Sequence, residues 1–138
     1  MIAIAERLSF ESRELKKIGV NTIAIMSNDV ENYPEDSFEN MKIFSKKYNF
    51  EFPYLYDSSQ EVAKKFKAVC TPDFFGFNNA MELQYRGRLD ETGRNPPRPD
   101  SRRELYEAMS QIAETGQGPR EQTPSIGCSI KWLSLIHI

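Results

Sequence analysis

Two thiols and one dipeptide are the groups of this sequence best suited to chemistry: Cys70, Cys128 and Thr71-Pro72. A thiolate attacks disulfides and peroxides, and a second thiol within reach can resolve the product. Cys70 and Cys128 lie too far apart in the chain for a C-x-x-C pair, and two cysteines make no disulfide framework. No cluster of Cys and His marks a zinc site, so neither metal nor cofactor is expected. The single histidine, His137, sits one residue from the end. Any Ser-His-Asp or Cys-His centre would have to recruit it, which sets those enzyme classes aside. Proline at the start of a strand cannot donate to the ladder, and a cis X-Pro bond marks a sharply specified turn. By itself, Thr71-Pro72 reads as an ordinary trans proline at a strand edge, and only the surrounding residues change that.

Two further groups favour bland readings. Arg86, Arg88, Arg94, Arg98, Arg102 and Arg103 gather positive charge around Pro96, Pro97 and Pro99, but Asp90, Glu91 and Asp100 offset half of it. No exposed aromatics alternate with these arginines to stack on bases. Asp29, Glu31, Glu35 and Asp36 lack the spacing and glycine of a calcium loop and suit a helix start. Over 138 residues there are 18 basic and 20 acidic side chains, so the net charge of −2 recruits neither nucleic acid nor an anionic membrane.

Several elements must position these groups. Ile4, Leu8, Leu15 and Ile18 trace one face of a helix that Gly19 stops, with Glu11 interrupting the stripe. Residues 20–26 (VNTIAIM) read as a strand buried on both sides. A second helix begins near Pro34 and buries Phe38, Met41, Phe44 and Tyr48. Residues 52–56 form a short strand. Ser58 and Glu61 suit a capping box for a helix burying Val62 and Phe66. Residues 73–77 and 81–85 have hairpin spacing around Asn78-Asn79-Ala80. A proline-rich loop over residues 86–100 follows. A last helix, capped by Ser101 and Glu104, buries Leu105, Ala108, Met109 and Ile112 and ends at Gly116. Strands separated by helices and then an antiparallel pair indicate an α/β domain with a mixed sheet.

The segments TIAIMSND (22–29), YPEDS (33–37), FPYLYD (52–57), CTPDFF (70–75), Tyr85-Arg86-Gly87 and PSIGC (124–128) together resemble the redoxin branch of the thioredoxin superfamily. Bacterial thioredoxin family proteins related to the alkyl hydroperoxide reductase and thiol-specific antioxidant group carry this set, and the likeness runs from the first helix to Trp132. It implies a thioredoxin-like α/β fold, a mixed sheet flanked by helices. It also implies that the N-terminal strand and the C-x-x-C segment of such proteins are missing here, so their catalytic positions fall on no residue of this sequence.

By the same resemblance Thr71 offers its backbone to a substrate chain and Pro72 shapes the loop. Cys70 is either an accessory thiol or a small buried hydrophobe. Cys128 either folds back to resolve a sulfenic acid or disulfide, or packs with Ile126 and Ile130. The implied activity is that of a thiol-disulfide oxidoreductase or thiol peroxidase, inactive without its dithiol. Its partners would be a disulfide-containing protein or a peroxide, and a thiol reductant. The alternative is a thioredoxin-fold domain that holds an extended peptide without redox chemistry.

Residues 1–119 are read as the truncated domain, 120–132 as its C-terminal extension and 133–138 as a non-native tail. No apolar run approaches the ~20 residues of a membrane span, and the first residues have no signal-peptide pattern, so a cytoplasmic location is expected. Without a dithiol strand between residues 20–26 and 73–77, those two strands either pair directly or leave a gap.

Overall fold

A computed structural model describes residues 2–133 of the chain. After a 3-10 turn (Ile2–Ile4) comes α1 (Ala5–Lys17), then β1 (Ala24–Met26), a second 3-10 turn (Pro34–Asp36) and α2 (Phe38–Lys47). Next are β2 (Tyr54–Tyr56), α3 (Glu61–Phe66), β3 (Cys70–Thr71), β4 (Phe74–Phe77), β5 (Leu83–Gly87), α4 (Glu104–Thr115) and β6 (Cys128–Ser129). The tail residues 134–138, with His137, lie outside the described residues.

The strands form three separate pairs: β1 with β2 in parallel, β4 with β5 antiparallel, and β3 with β6 antiparallel. Among the described residues β1 has no strand neighbour but β2, and β4 none but β5. Of the two outcomes open to the sequence, the gap is the one observed.

Burial concentrates where two layers meet. Leu105, Ala108, Met109 and Ile112 on the inner face of α4 pack with Tyr85 and Leu89 and with Ile4 and Leu15 at the two ends of α1. Burying a large aliphatic side chain contributes roughly 1.5–3 kcal/mol, which makes this cluster the main source of stability. Glu11, the break in the α1 stripe, is buried and holds the Arg103 guanidinium at 2.9 and 3.1 Å, tying α1 to the start of α4.

Several sequence expectations are corrected. The strand over residues 20–26 is ordered as β only from Ala24, and it is not buried on both sides: Ile23 is 61% and Ile25 43% exposed. With one strand neighbour and α2 against its pair, that sheet leaves a face bare. Phe38 is exposed because it opens α2 directly after the Ser37 cap, beneath Lys42. Ile18 follows the last turn of α1 and is likewise exposed.

Neither proposed capping box forms. At α3 the first amides turn to Asp57, which accepts from Val62 N at 3.4 Å and Ala63 N at 3.1 Å, while Gln60 occupies the cap position with φ 64°. Ala63 is the buried residue of that helix, and Phe66 lies against the rings of Phe75 and Phe77. At α4, Leu105 N donates to Leu89 O, and Glu104 accepts from Arg88 Nε at 2.6 Å instead of capping.

Candidate thiol site at the Pro72 loop

The chain enters the site from α3, whose C-terminal Lys67 turns left-handed at φ 57° and directs it into β3. Thr71-Pro72 follows, with a cis peptide bond. Beyond it the Asp73 side chain is sheltered and pairs with Arg86 Nη2 at 3.3 Å, and the same nitrogen donates to Lys67 O at 2.6 Å. The Arg86 guanidinium also lies 5.0 Å above the Phe75 ring. One arginine thus clamps both ends of the loop, a structural task that charge density alone did not single out.

β6 lies along β3 with Cys70 opposite Ser129 and Thr71 opposite Cys128. Residues directly opposite share a face and successive residues alternate. The two thiols therefore point to opposite faces of the ladder, and both are free. A disulfide between them would require the register to slip by one residue.

Their environments differ. Cys70 is half-buried, with its sulfur 3.5 Å from Pro72 O and 3.6 Å from Ser125 O. Burial, and then the nearby Asp73 carboxylate, push its pKa up, with Arg86 opposing. Cys128 is exposed, and Arg94 Nη2 lies 3.4 Å from its sulfur. Of the expected packing trio only Ile130 goes inside; Ile126 is 89% exposed.

The other arginines of that cluster are paired with carboxylates: Arg88 with Glu104, Arg98 with Asp100, Arg102 with Glu107 and Arg103 with Glu11. Arg94 reaches sulfur instead. It also shares a cleft of about 330 Å³ with Ile2, Glu6 and Pro97, so the first turn of α1 opens near the same place. Arg7 fixes that turn against the proline-rich loop through Asp90 at 3.3 Å, Thr92 and the Gly93 carbonyl.

What brings Cys128 here is a strap, residues 118–133, that hydrogen-bonds to β5, pairs with β3 and then reaches the segments that follow β1 and β2. Arg88 N donates to Thr123 O at 3.1 Å, and Ser125 Oγ donates to Gly87 O at 2.5 Å. Past β6, Gln60 Nε2 donates to Lys131 O at 2.9 Å and Gln60 Oε1 accepts from Leu133 N at 2.9 Å. Asn28 Oδ1 accepts from Lys131 N at 2.9 Å. Gln60 and Asn28 were not among the residues singled out from sequence. Each reads as an ordinary turn residue, and only the strap, distant in the chain, gives them a task.

The pattern of the AhpC/TSA family matches residues 3–88, which include β3, Thr71 and Pro72. The chain belongs to the AhpC/TSA family. Two solved structures agree with that placement. An uncharacterized conserved protein from Geobacillus kaustophilus is 44% identical with a TM-score of 0.86, over 94% of this chain and 69% of that one. A hypothetical protein from Sinorhizobium meliloti 1021 is 34% identical with a TM-score of 0.86, over 96% of this chain and 73% of that one. Among curated proteins nothing matches. The expected thioredoxin-like α/β fold is therefore correct, although its strands here stand in three pairs. The family pattern stops short of α4 and the strap, so Cys128 is placed by geometry alone. No helix among the described residues is long and apolar enough to cross a membrane.

Proposed function

We propose that this chain carries the docking half of a redoxin, a thiol-disulfide oxidoreductase or thiol peroxidase whose attacking thiolate is supplied by residues outside this sequence. The observation that carries the reading is the β3–β6 ladder, which sets the exposed Cys128 thiol directly opposite Thr71 at the Pro72 loop. The AhpC/TSA membership and the relatives, of which this chain spans 69% and 73%, support it. So does the topology, in which β1 pairs only with β2 and β4 only with β5 among the described residues.

In this reading an external thiolate attacks a disulfide sulfur to give a mixed disulfide and release a thiolate, or attacks a peroxide to give a sulfenic acid and an alcohol or water. Cys128 then resolves. Its thiolate displaces the substrate thiol from the mixed disulfide, or its thiol condenses with the sulfenic acid to give a disulfide and water. A thiol reductant restores both sulfurs. Arg94 beside Cys128 is a partner suited to a thiolate. Cys70, its pKa raised by burial, supports the loop rather than reacting.

The test is reduction of insulin disulfides and of hydrogen peroxide by the purified chain with dithiothreitol. The expected rate is that of dithiothreitol alone. Turnover above it that disappears in Cys128→Ser would mean the two thiols suffice, and would overturn the external thiolate.

A further inference from the structure

Cys128 and Ser129, the two residues of β6, are both exposed, so burial of this strand does not explain why it lies on β3. It is held from either side. Upstream, the Thr123 and Ser125 contacts fasten the strap to Arg88 and Gly87 at the end of the β4–β5 pair. Downstream, Ile130 is buried and the next three residues enter a clasp. Gln60, 1% exposed, donates to Ser27 O at 2.7 Å as well as to Lys131 O, and Asp29 N donates to Lys131 O at 2.8 Å. The clasp bonds to Lys131 O, to Lys131 N from Asn28 Oδ1 and to Leu133 N from Gln60 Oε1 all meet strap backbone.

Between the anchors the fit is close at one residue. A Cβ on Gly127 would overlap the Thr71 carbonyl oxygen, so the strap lies flush on the loop only because glycine stands there.

We propose that the edge of β3 is a strand-addition site that the chain fills with its own residues 127–129, and that the Gln60 clasp sets whether an external peptide replaces them. The ligand class follows from the ladder: an extended peptide, paired antiparallel, with glycine immediately before the residue opposite Thr71. Opening the clasp leaves the strap tethered at Thr123 and Ser125 and exposes unpaired backbone of Cys70 and Thr71. The inference rests on β3 being the docking edge of the proposed redoxin, but requires no thiol to react.

The probe is a fluorescein-labelled peptide of residues 124–133 carrying Cys128→Ser, titrated against the full chain, Gln60→Glu and Gly127→Val. Gln60→Glu keeps the shape but removes the amide donors; Gly127→Val attacks the ladder itself. In both variants hydrogen exchange of residues 126–133 and 70–71 should quicken about tenfold while α4 keeps its protection. The peptide should bind both variants at least about tenfold more tightly than the wild type, and a Gly127→Val version of the peptide should bind none.

Unchanged protection of the strap, or release without peptide binding, overturns the proposal. If both variants lose protection in α4, the clasp belongs to the core and the proposal also fails. Because the peptide has no thiol, a failed titration leaves the redox assay to decide the parent reading by itself.

Discussion

The two halves of the molecule both carry apolar residues along their elements and end up unlike in how far they bury them. In the half made by α1, β4, β5 and α4, eight buried residues form one cluster with layers on both sides. In the half made by β1, β2, α2 and α3, the register partners Ile25 and Leu55 are 43% and 48% exposed. That half is held by rings instead: Phe44 lies 4.7 Å from Tyr48, and Phe50 lies 4.6 Å from Phe52 and 5.7 Å from Tyr54. An apolar run is buried only where a second layer exists to meet it. The exposed apolar face of β1 and β2 is a surface suited to association.

The sharpest way to break this contrast is truncation in each half. Met109→Ala should cost about 3 kcal/mol, as buried methionine usually does, whereas Ile25→Thr should stay within about 0.5 kcal/mol and reduce self-association. Denaturant titration and light scattering would measure both. Equal costs would mean that β1 is covered in solution.

A somewhat smaller effect tests how the first half is joined. Arg103→Ala strips the buried Glu11 of its partner and should cost about 2–3 kcal/mol. The loss should depend little on salt, because the carboxylate side chain is only 6% exposed.

Alkaline pH addresses both halves at once. Tyr85 in the first and Tyr54 in the second are each pushed up to about 12, chiefly by burial, with Glu104 and Asp36 respectively adding to it. Their folded-state values lie above the ordinary tyrosine value near ~10. The stability they contribute is therefore full below about pH 10 and is lost as pH rises through about 12. Tyrosinate absorbance followed as pH rises should show the ionisation of Tyr54 and Tyr85 delayed until the fold opens. Tyr85→Phe should remove one delayed step. It should also cost about 1 kcal/mol at neutral pH, because the hydroxyl donates to Arg88 O at 2.6 Å.

The smallest perturbation is alkylation with iodoacetamide at neutral pH. The exposed Cys128 should react first, and Cys70 should catch up only as pH rises above the usual thiol range. Cys128→Ser should abolish the fast phase. A faster Cys70 would contradict the sheltered face assigned to it.

Much of the first half was legible in sequence. Leu105, Ala108, Met109 and Ile112 fall at helical spacing on one stripe, and all four are buried. The hairpin of β4 and β5 followed from its spacing around Asn78-Asn79-Ala80, although the second strand runs Leu83–Gly87 rather than over residues 81–85. Local pattern sufficed because each signal lies within one element. The second half misled because the residues 20–26 pattern reports apolar character, not the presence of neighbours. Capping failed for a related reason. Ser58 and Ser101 had suitable side chains, but Asp57 and the Leu89 carbonyl were better placed by tertiary structure. At the site, Thr71, Pro72, Cys70 and Cys128 could be named from sequence. That the thiols face apart could not, since register is set by pairing residues distant along the chain, and no local signal carried Gln60 or Asn28.

The strap also bears on the order in which the molecule assembles. The bond from Lys131 to Asn28 closes a loop of 103 residues. Its closure entropy exceeds that of a ten-residue hairpin by about 2 kcal/mol. Contacts so distant in sequence form late. The β4–β5 hairpin and α4 can consolidate from local contacts, while β6 must wait for the clasp residues. Refolding kinetics should therefore separate a rapid phase in the first half from a slower one in which Ile130 is withdrawn from water and the ends of β1 and α3 become fixed.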